Sequence, residues 1–180
     1  MRPVTTQLTD GHEWLRVADP DWEDPPDPDY AARAGGRWNP PASFPTLYLN
    51  EDLHTARAQI LKLFEGAPIE PDDLDPGFDL VATTVPRSQT VADLRAAAGL
   101  EAVGLPAAYP RYANGRPVQH DACQPVGSEV HSQGLRGVLA RSAATSDGSG
   151  RELAWFPARA SSTAKLVERR RFADWWFDSY

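Results

Sequence analysis

The sequence has little cysteine, no histidine pattern for metals and no long apolar run. Cys123 is the single cysteine among 180 residues, which excludes a disulfide within the chain and a cysteine-rich metal site. The four histidines lack metal-ligand spacing such as HExxH, so no metal is expected. The first residues, MRPVTTQLTDGHEW, lack the apolar core of a signal peptide, and no segment reaches transmembrane length. We therefore expect a protein of the reducing cytoplasm without a membrane partner.

Positive charge is also scarce. The chain has 18 Lys and Arg against 25 Asp and Glu, a formal net charge of −7. A general nucleic-acid-binding protein needs a basic face to release counterions from phosphates, so direct nucleic-acid binding is not expected. This balance still allows a local basic pocket for a small anion. Hydrophobic residues at 41% and charged residues at 24% are ordinary for one globular domain of this length.

Short strand-like segments alternate with helical ones, which predicts an α+β domain. Strands are predicted in five segments, at residues 12–19, 46–50, 78–86, 137–144 and 151–158. The tail, 165–180, is predicted to be a strand followed by an aromatic-rich end packed on the body. Residues 18–36, rich in Pro, Asp and Gly, are predicted to form an irregular loop. Residues 101–122 are predicted to form an irregular segment on the surface. Helices are predicted at 51–66, at 88–99 from Ser88 or Thr90, and from 123 to Gly134.

The helix predicted at 51–66 has the clearest pattern. Its apolar residues recur at the helical period on one face, at Leu53, Ala56, Ile60, Leu63 and Phe64. Asn50 is the expected N-cap, and Gly66 and Pro68 end the helix. Gln59 falls at the margin of the apolar face, where a side chain can face a cleft.

Five blocks of sequence resemble, in order, those of the RES domain, a family named for an arginine, a glutamate and a serine. The blocks are WLRV, GGRWNPP, TLYLNEDLHTARAQI, CQPVG and GVLARSAA. They run from about residue 13 to about residue 157, and the GGRWNPP block with the following LYL is the most specific. We place a RES domain at residues 8–160 and a C-terminal extension, packed on the domain, at 161–180.

The resemblance implies a single compact α+β domain similar to the ADP-ribosyltransferase toxins, with central mixed or antiparallel strands and flanking helices. Characterised family members are toxins neutralised by an antitoxin with an Xre-type helix-turn-helix. They hydrolyse or phosphorolyse the nicotinamide–ribose bond of NAD+, and some are described as ADP-ribosylating a protein. NAD+ is therefore the expected substrate rather than a recycled cofactor, and an Xre-type antitoxin is the expected partner. The sequence does not distinguish a monomer from a homo-oligomer.

The resemblance also assigns site residues. Arg16 matches the arginine ending the first family strand, Arg37 the arginine of the GGRWN block, and Tyr48 the tyrosine of the next strand. Ser142 matches the serine of the late strand, and Gln124 lies in the CQPVG block, which borders the site in the family. The planar guanidinium of an arginine can form paired hydrogen bonds with a pyrophosphate. A tyrosine ring can stack beside nicotinamide, and a serine hydroxyl can hydrogen-bond to the nicotinamide amide or to a phosphate. The glycines before Arg37 are expected to let backbone approach the ligand.

Gln59 departs from the family, because it stands where the family has its glutamate. Gln can hydrogen-bond a ribose hydroxyl, but it cannot offset the positive charge that develops on the ribose as the bond breaks. Losing one well-placed electrostatic group typically costs about 10²–10³ in rate. Another carboxylate is a candidate replacement, from among Glu51, Asp52, Asp121 and Glu152, and we favour Asp121 because it lies beside the CQPVG block.

Each site residue also has a purely structural interpretation. Arg37 could pair on the surface with the acidic loop before it, and Arg16 could be a structural ion-pair partner. Tyr48 could belong to the core, Gln59 to a solvated helix face, and the Ser142 hydroxyl could satisfy backbone groups. Two other functions fit the same pocket: a module that binds NAD+, ADP-ribose or an antitoxin without turnover, and transfer of ADP-ribose to a protein.

Overall fold

The structure is a computed structural model that describes residues 1–74, 76–159 and 162–177. Its strands are Thr5–Gln7 (β1), Trp14–Ala18 (β2), Leu47–Asn50 (β3), Asp79–Thr84 (β4), Thr90–Leu94 (β5), Gly137–Arg141 (β6), Arg151–Trp155 (β7) and Lys165–Arg170 (β8). Its α-helices, within these residues, are Asp29–Ala34 (α1), Leu53–Leu63 (α2), Ala97–Ala102 (α3), His120–Ser132 (α4) and Phe172–Trp175 (α5).

The strands form one mixed sheet in the order β1-β5-β6-β7-β3-β2-β4-β8. Neighbouring strands are antiparallel except for β5 and β6, which are parallel. Helices cover the sheet, which confirms the expected single α+β domain. Within the described residues, none of the helices has the length and apolar character needed to cross a lipid bilayer.

Both faces of the sheet are buried under apolar side chains. One face carries α4 and the loop before it, with Trp38, Tyr109 and Val130 fully buried. The opposite face centres on Leu47, Leu153 and Trp155. A third cluster packs α2 and α5 against β2 and β4. The burial of apolar side chains on both faces constrains the pairing register, because a shift of one residue would move each side chain to the opposite layer.

The ladder between β2 and β3 is short, and this positions the site. The two strands share a single registered pair, Leu15 opposite Asn50. On its other side β2 pairs along its whole length with β4. Residues 16–18 and 47–49 are therefore neighbours in the sheet order without forming a ladder. The sheet opens between them, and side chains from both strands line the opening.

Most of the predicted elements are confirmed, but the helix predicted at 88–99 is wrong. Residues Thr90–Leu94 form β5, which pairs with β1 on one side and with β6 on the other. Val91, Ala92 and Leu94 are fully buried there. Pairing between segments far apart in sequence outweighs the local helix-forming residues. Helix formation is confined to α3, which follows the strand.

Smaller corrections concern the helices around the site. The N-cap of α2 is Asp52, whose side chain accepts from the backbone N–H of Thr55 at 2.7 Å, and Asn50 ends β3 instead. Leu63, predicted on the apolar face, is exposed at the end of α2. The loop at 18–36 contains the short helix α1.

The remaining differences lie in the second half of the chain. The predicted irregular segment at 101–122 is not confined to the surface, since it buries Tyr109 and Val118 and already contains the start of α4. The tail forms β8 and then α5, and Trp175 is fully buried in the cluster that packs α5 against β2 and β4. Residue 160, at the predicted domain boundary, and residues 161 and 178–180 of the predicted extension lie outside the described residues.

Candidate active site

A cavity of about 440 Å3 opens where the β2–β3 ladder stops. Five of the six residues predicted from the sequence line it: Arg16, Arg37, Tyr48, Gln59 and Ser142. They come from β2, from the loop after α1, from β3, from α2 and from the end of β6. The fold thus brings together side chains that are up to 126 positions apart in the chain. The metal-binding residue types do not gather into a cluster of three or more anywhere in the described ranges.

Arg16 lines this cavity and also carries a buried donor without a protein partner in the part of the chain that the structure describes. Its guanidinium lies 5.0 Å from the ring centre of Trp22, and its buried Nη1 has no hydrogen-bond partner among the described residues. Burial lowers the pKa of Arg16 to about 10, against the opposing effect of Asp27 and Asp24. The side chain therefore stays positive at neutral pH. Buried donors in proteins are almost always paired with protein groups or ordered water, so an acceptor from water or from a ligand would complete this one.

Arg37 is anchored by protein groups at one end of its guanidinium. Its Nη1 donates to the carbonyl oxygen of Val118 at 2.8 Å and lies 3.9 Å from the Sγ of Cys123. Arg37 also lines a second, adjoining cavity of about 370 Å3. The guanidinium therefore lies at the boundary of two cavities with its position fixed, as suits a group that holds the middle of an elongated anion.

Tyr48 is held by the loop that carries Arg37. Its hydroxyl donates to Oδ1 of Asn39 at 2.7 Å and accepts from the backbone N–H of Trp38 at 2.8 Å. Burial raises the pKa of Tyr48 above its ordinary value, so the phenol stays neutral. Because the hydroxyl is engaged by the protein, the ring is what remains to border a ligand.

The two glycines before Arg37 have structural reasons of their own. A Cβ on Gly36 would lie 2.4 Å from the hydroxyl oxygen of Tyr48, and Gly35 has a φ of +74°, in the left-handed region that favours glycine. Both glycines line the cavity, as expected for backbone beside a ligand. The close packing of Gly36 on Tyr48 was not expected from the sequence.

Gln124 is the predicted site residue that does not line the cavity. Its Nε2 donates to the carbonyl oxygen of Gly36 at 3.0 Å. Nearby on α4, a Cβ on Gly127 would lie 1.7 Å from the carbonyl oxygen of Trp38, so the helix packs directly against the GGRWN loop. The structure places Gln124 behind this loop, where its side chain holds the backbone of Gly36.

Gln59 lines the cavity from α2, as its position at the helix margin predicted. Its side-chain oxygen accepts from Nδ2 of Asn50 at 2.8 Å, and Asn50 is itself buried at the end of β3. The hydrogen bond orients the amide of Gln59 and leaves its NH2 group as a donor.

Glu152, on β7, is the carboxylate of this cavity. Its Oε2 accepts from the hydroxyl of Ser142 at 3.0 Å, and its Oε1 accepts from Nε1 of Trp38 at 3.1 Å. Burial raises the pKa of Glu152, while the bond from Trp38, the charge of Arg37 and the bond from Ser142 oppose the rise. These two hydrogen bonds and the Arg37 charge favour the ionised form.

The preference for Asp121 is therefore corrected. Neither Asp121 nor the other two candidates, Glu51 and Asp52, lines the cavity among the described residues. Asp52 caps α2, and Asp121 is exposed in the first turn of α4. The sequence offered one usable signal for Glu152, an acidic residue within the apolar strand segment RELAWFPA.

The comparisons with known proteins agree with this fold. A family model described as "RES domain" matches residues 13–178. The chain is also similar to a solved structure titled "Crystal structure of the M.tuberculosis MbcT-MbcA toxin-antitoxin complex", with a TM-score of 0.72 and 24% identity over 93% of this chain and 86% of that chain. No curated protein matches the chain. At this identity the solved structure supports the fold, and the family model supports the membership.

Proposed function

The chain belongs to the RES domain family, and from that premise we propose that it is the toxin of a toxin–antitoxin pair and cleaves the nicotinamide–ribose bond of NAD+. The observation that carries the proposal is the cavity at the β2–β3 opening, which holds Arg16 with an unpartnered buried donor beside Arg37. NAD+ has a pyrophosphate with two negative charges, and arginine binds phosphate oxygens through paired, charge-assisted hydrogen bonds. Both cations would hold the pyrophosphate.

The remaining lining residues suit the reacting half of NAD+. Tyr48 would border the nicotinamide ring, Ser142 would orient its amide, and Gln59 would donate to a ribose hydroxyl. As the bond from ribose C1′ to the ring nitrogen breaks, its electron pair goes to nicotinamide, which leaves as a neutral molecule. Water or phosphate then adds to C1′ and releases a proton. The positive charge on the ribose in between is what the site has to stabilise.

The proposed partner is an antitoxin with an Xre-type helix-turn-helix, and the proposed place of action is the cytoplasm, where NAD+ is consumed. In support, the similar solved structure is of a toxin–antitoxin complex. Expression of this chain in bacteria should arrest growth and deplete NAD+. Co-expression of a small helix-turn-helix protein encoded beside it should relieve both effects. Depletion that persists with the bound partner present would contradict the pairing.

Purified protein with NAD+ provides the direct test. If water is the acceptor, nicotinamide and ADP-ribose should appear in a buffer without phosphate. If phosphate is the acceptor, ADP-ribose 1″-phosphate should replace ADP-ribose in phosphate buffer. Arg16→Ala should lose most of the release, whereas Arg87→Ala, which removes an exposed arginine outside the cavity, should keep it. No release above buffer at high protein concentration would reject the enzymatic function.

Two alternatives share this pocket, and a labelling experiment separates them from the proposed function. With NAD+ labelled in its ADP-ribose part and offered to a cell lysate, hydrolysis or phosphorolysis leaves the label on small molecules. Label on protein would instead show ADP-ribose transfer. NAD+ binding without release of nicotinamide would indicate a binding module without turnover.

A further inference from the structure

We propose that Glu152 supplies the catalytic carboxylate that the family glutamate, replaced here by Gln59, would otherwise provide. The inference rests on the proposed function, since it names the group that stabilises the positive ribose. Glu152 comes from β7, whereas position 59 lies on α2. The carboxylate would therefore act on the same bond from a different element of the fold.

The geometry supports a preorganised carboxylate. Oε1 of Glu152 accepts from Nε1 of Trp38 and Oε2 accepts from the hydroxyl of Ser142, and the backbone N–H of Ala143 also acts on the carboxylate. Trp38 is fully buried and Ser142 nearly so, which fixes both donors. An ionised carboxylate has about four acceptor positions, so positions remain for a ribose hydroxyl. A charge held in place before the reaction stabilises a developing opposite charge without reorganisation.

Glu152 is partly buried in the cavity wall and has no structural ion pair there within the described part of the chain. Among the residues that the structure describes, the ion pairs involve other groups, and Arg37 acts on Glu152 only as a nearby charge. A carboxylate partly removed from water without a paired cation costs folding free energy. Such groups concentrate at functional sites, where the cost is offset by activity. Glu152 is also the only carboxylate among the described residues that line this cavity.

Asn50 connects positions 59 and 152. It stands directly opposite Glu152 in the β3–β7 ladder, and its side-chain amide donates to Gln59 at 2.8 Å. The two side chains thus approach the same part of the cavity from either side of Asn50. Two carboxylates there would repel, and one of them would tend to take up a proton. Gln at position 59 leaves Glu152 free to remain ionised.

A structural role for Glu152, holding Trp38 in place, makes a different prediction from a catalytic one. Glu152→Gln keeps the shape and one acceptor oxygen but removes the charge. If the charge is catalytic, the maximal rate of nicotinamide release should fall by about 10²–10³-fold, while the affinity for ADP-ribose should change less than threefold. Glu101→Gln, at an exposed carboxylate on α3, should change neither quantity.

A second variant tests the equivalence of the two positions. Adding Gln59→Glu to Glu152→Gln restores a carboxylate at the family position. The double variant should release nicotinamide at least tenfold faster than Glu152→Gln alone. A structural role would give no such recovery, because Gln59→Glu cannot repair contacts with Trp38. Failure to recover would overturn the equivalence.

The failures are distinguishable. If the unmodified protein releases nicotinamide and Glu152→Gln keeps more than a tenth of its rate, this inference is wrong and the proposed function stands. If Glu152→Gln loses rate, ADP-ribose affinity and thermal stability together, Glu152 is structural. If the unmodified protein releases no nicotinamide, the proposed function fails and this inference fails with it.

Discussion

The hydroxyl of Ser142 donates to the carboxylate of Glu152 across the neighbouring ends of β6 and β7, at 3.0 Å. The serine that aligns with the family's name-giving serine is therefore the partner of a carboxylate that the sequence comparison did not single out. Ser142 also accepts from the backbone N–H of Ala144 at 3.2 Å, which fixes the direction of its hydroxyl. We infer that Ser142 keeps Glu152 ionised as well as orienting nicotinamide.

The first prediction concerns pH. Burial raises the pKa of Glu152, and catalysis requires its ionised form. The rate should therefore fall on acidification through a pKa above the ordinary value of about 4.3 for glutamate. Ser142→Ala removes a bond that favours the ionised form, so it should move this acid limb to higher pH. The logarithm of kcat against pH measures both effects, and a limb unmoved by Ser142→Ala would contradict the role of Ser142.

The groups facing Glu152 allow this limb to be assigned. Burial raises the pKa of Tyr48, Tyr109 and Cys123, so these stay neutral on acidification, and Arg37 stays charged. His120 also lines the cavity, and burial lowers its pKa. A His120→Asn variant should keep the acid limb. Loss of the limb in that variant would assign it to the histidine.

The second prediction concerns anion binding by Arg16. Its unpartnered Nη1 faces no protein acceptor, and a hydrogen bond to a charged group is worth about 1.5–3 kcal/mol. Arg16→Ala should therefore weaken ADP-ribose binding about tenfold or more. Arg16→Lys should bind with intermediate affinity, since it keeps the charge and loses the planar fork. Calorimetric titration measures all three proteins, and equal affinities would place the pyrophosphate elsewhere.

The third prediction concerns stability. Gly36→Ala would place a methyl group 2.4 Å from the hydroxyl oxygen of Tyr48, and overpacking of this kind typically costs about 1–3 kcal/mol. Thermal unfolding should show a lower Tm. In a Tyr48→Ala background the same change should cost much less, because the colliding ring is gone. Equal costs in the two backgrounds would mean that the clash is not the cause.

The fourth prediction concerns Gln59→Glu by itself. From the sequence alone, this change is expected to raise NAD+ cleavage at least tenfold if the rest of the site is intact. With Glu152 in the cavity, we expect less than a tenfold gain, because the added charge competes with Glu152 across Asn50. The rate of nicotinamide release at saturating NAD+ decides between the two. A larger gain would show that Glu152 does not replace the family glutamate.

The sequence predicted the parts of the fold whose signals are local. The period of α2 and the β-branched run of β4 were sufficient for their type and position. For β5 the local signal was misleading, because TVADLRAAA contains helix formers and its strand state depends on pairing with β1 and β6, far away in sequence.

The site divides in the same way. Arg37 and Tyr48 lie in a specific sequence block and were predicted to share a pocket, and they line one cavity. Glu152 lies outside the sequence blocks that resemble the family. It reaches the cavity because β7 lies between β6 and β3 in the sheet. Asp121 was favoured for its closeness in sequence to Gln124, but both residues lie outside the cavity lining, among the residues described.

The most direct test of the proposed NAD+ cleavage is the proton NMR spectrum of NAD+ during incubation with the purified protein. If the protein cleaves the nicotinamide–ribose bond, the nicotinamide resonances of NAD+ should be replaced by those of free nicotinamide at a rate proportional to protein concentration. The Arg16→Ala/Glu152→Gln variant should leave the resonances of NAD+ almost unchanged. An unchanged spectrum with the unmodified protein, or equal rates for the two proteins, would contradict the proposal.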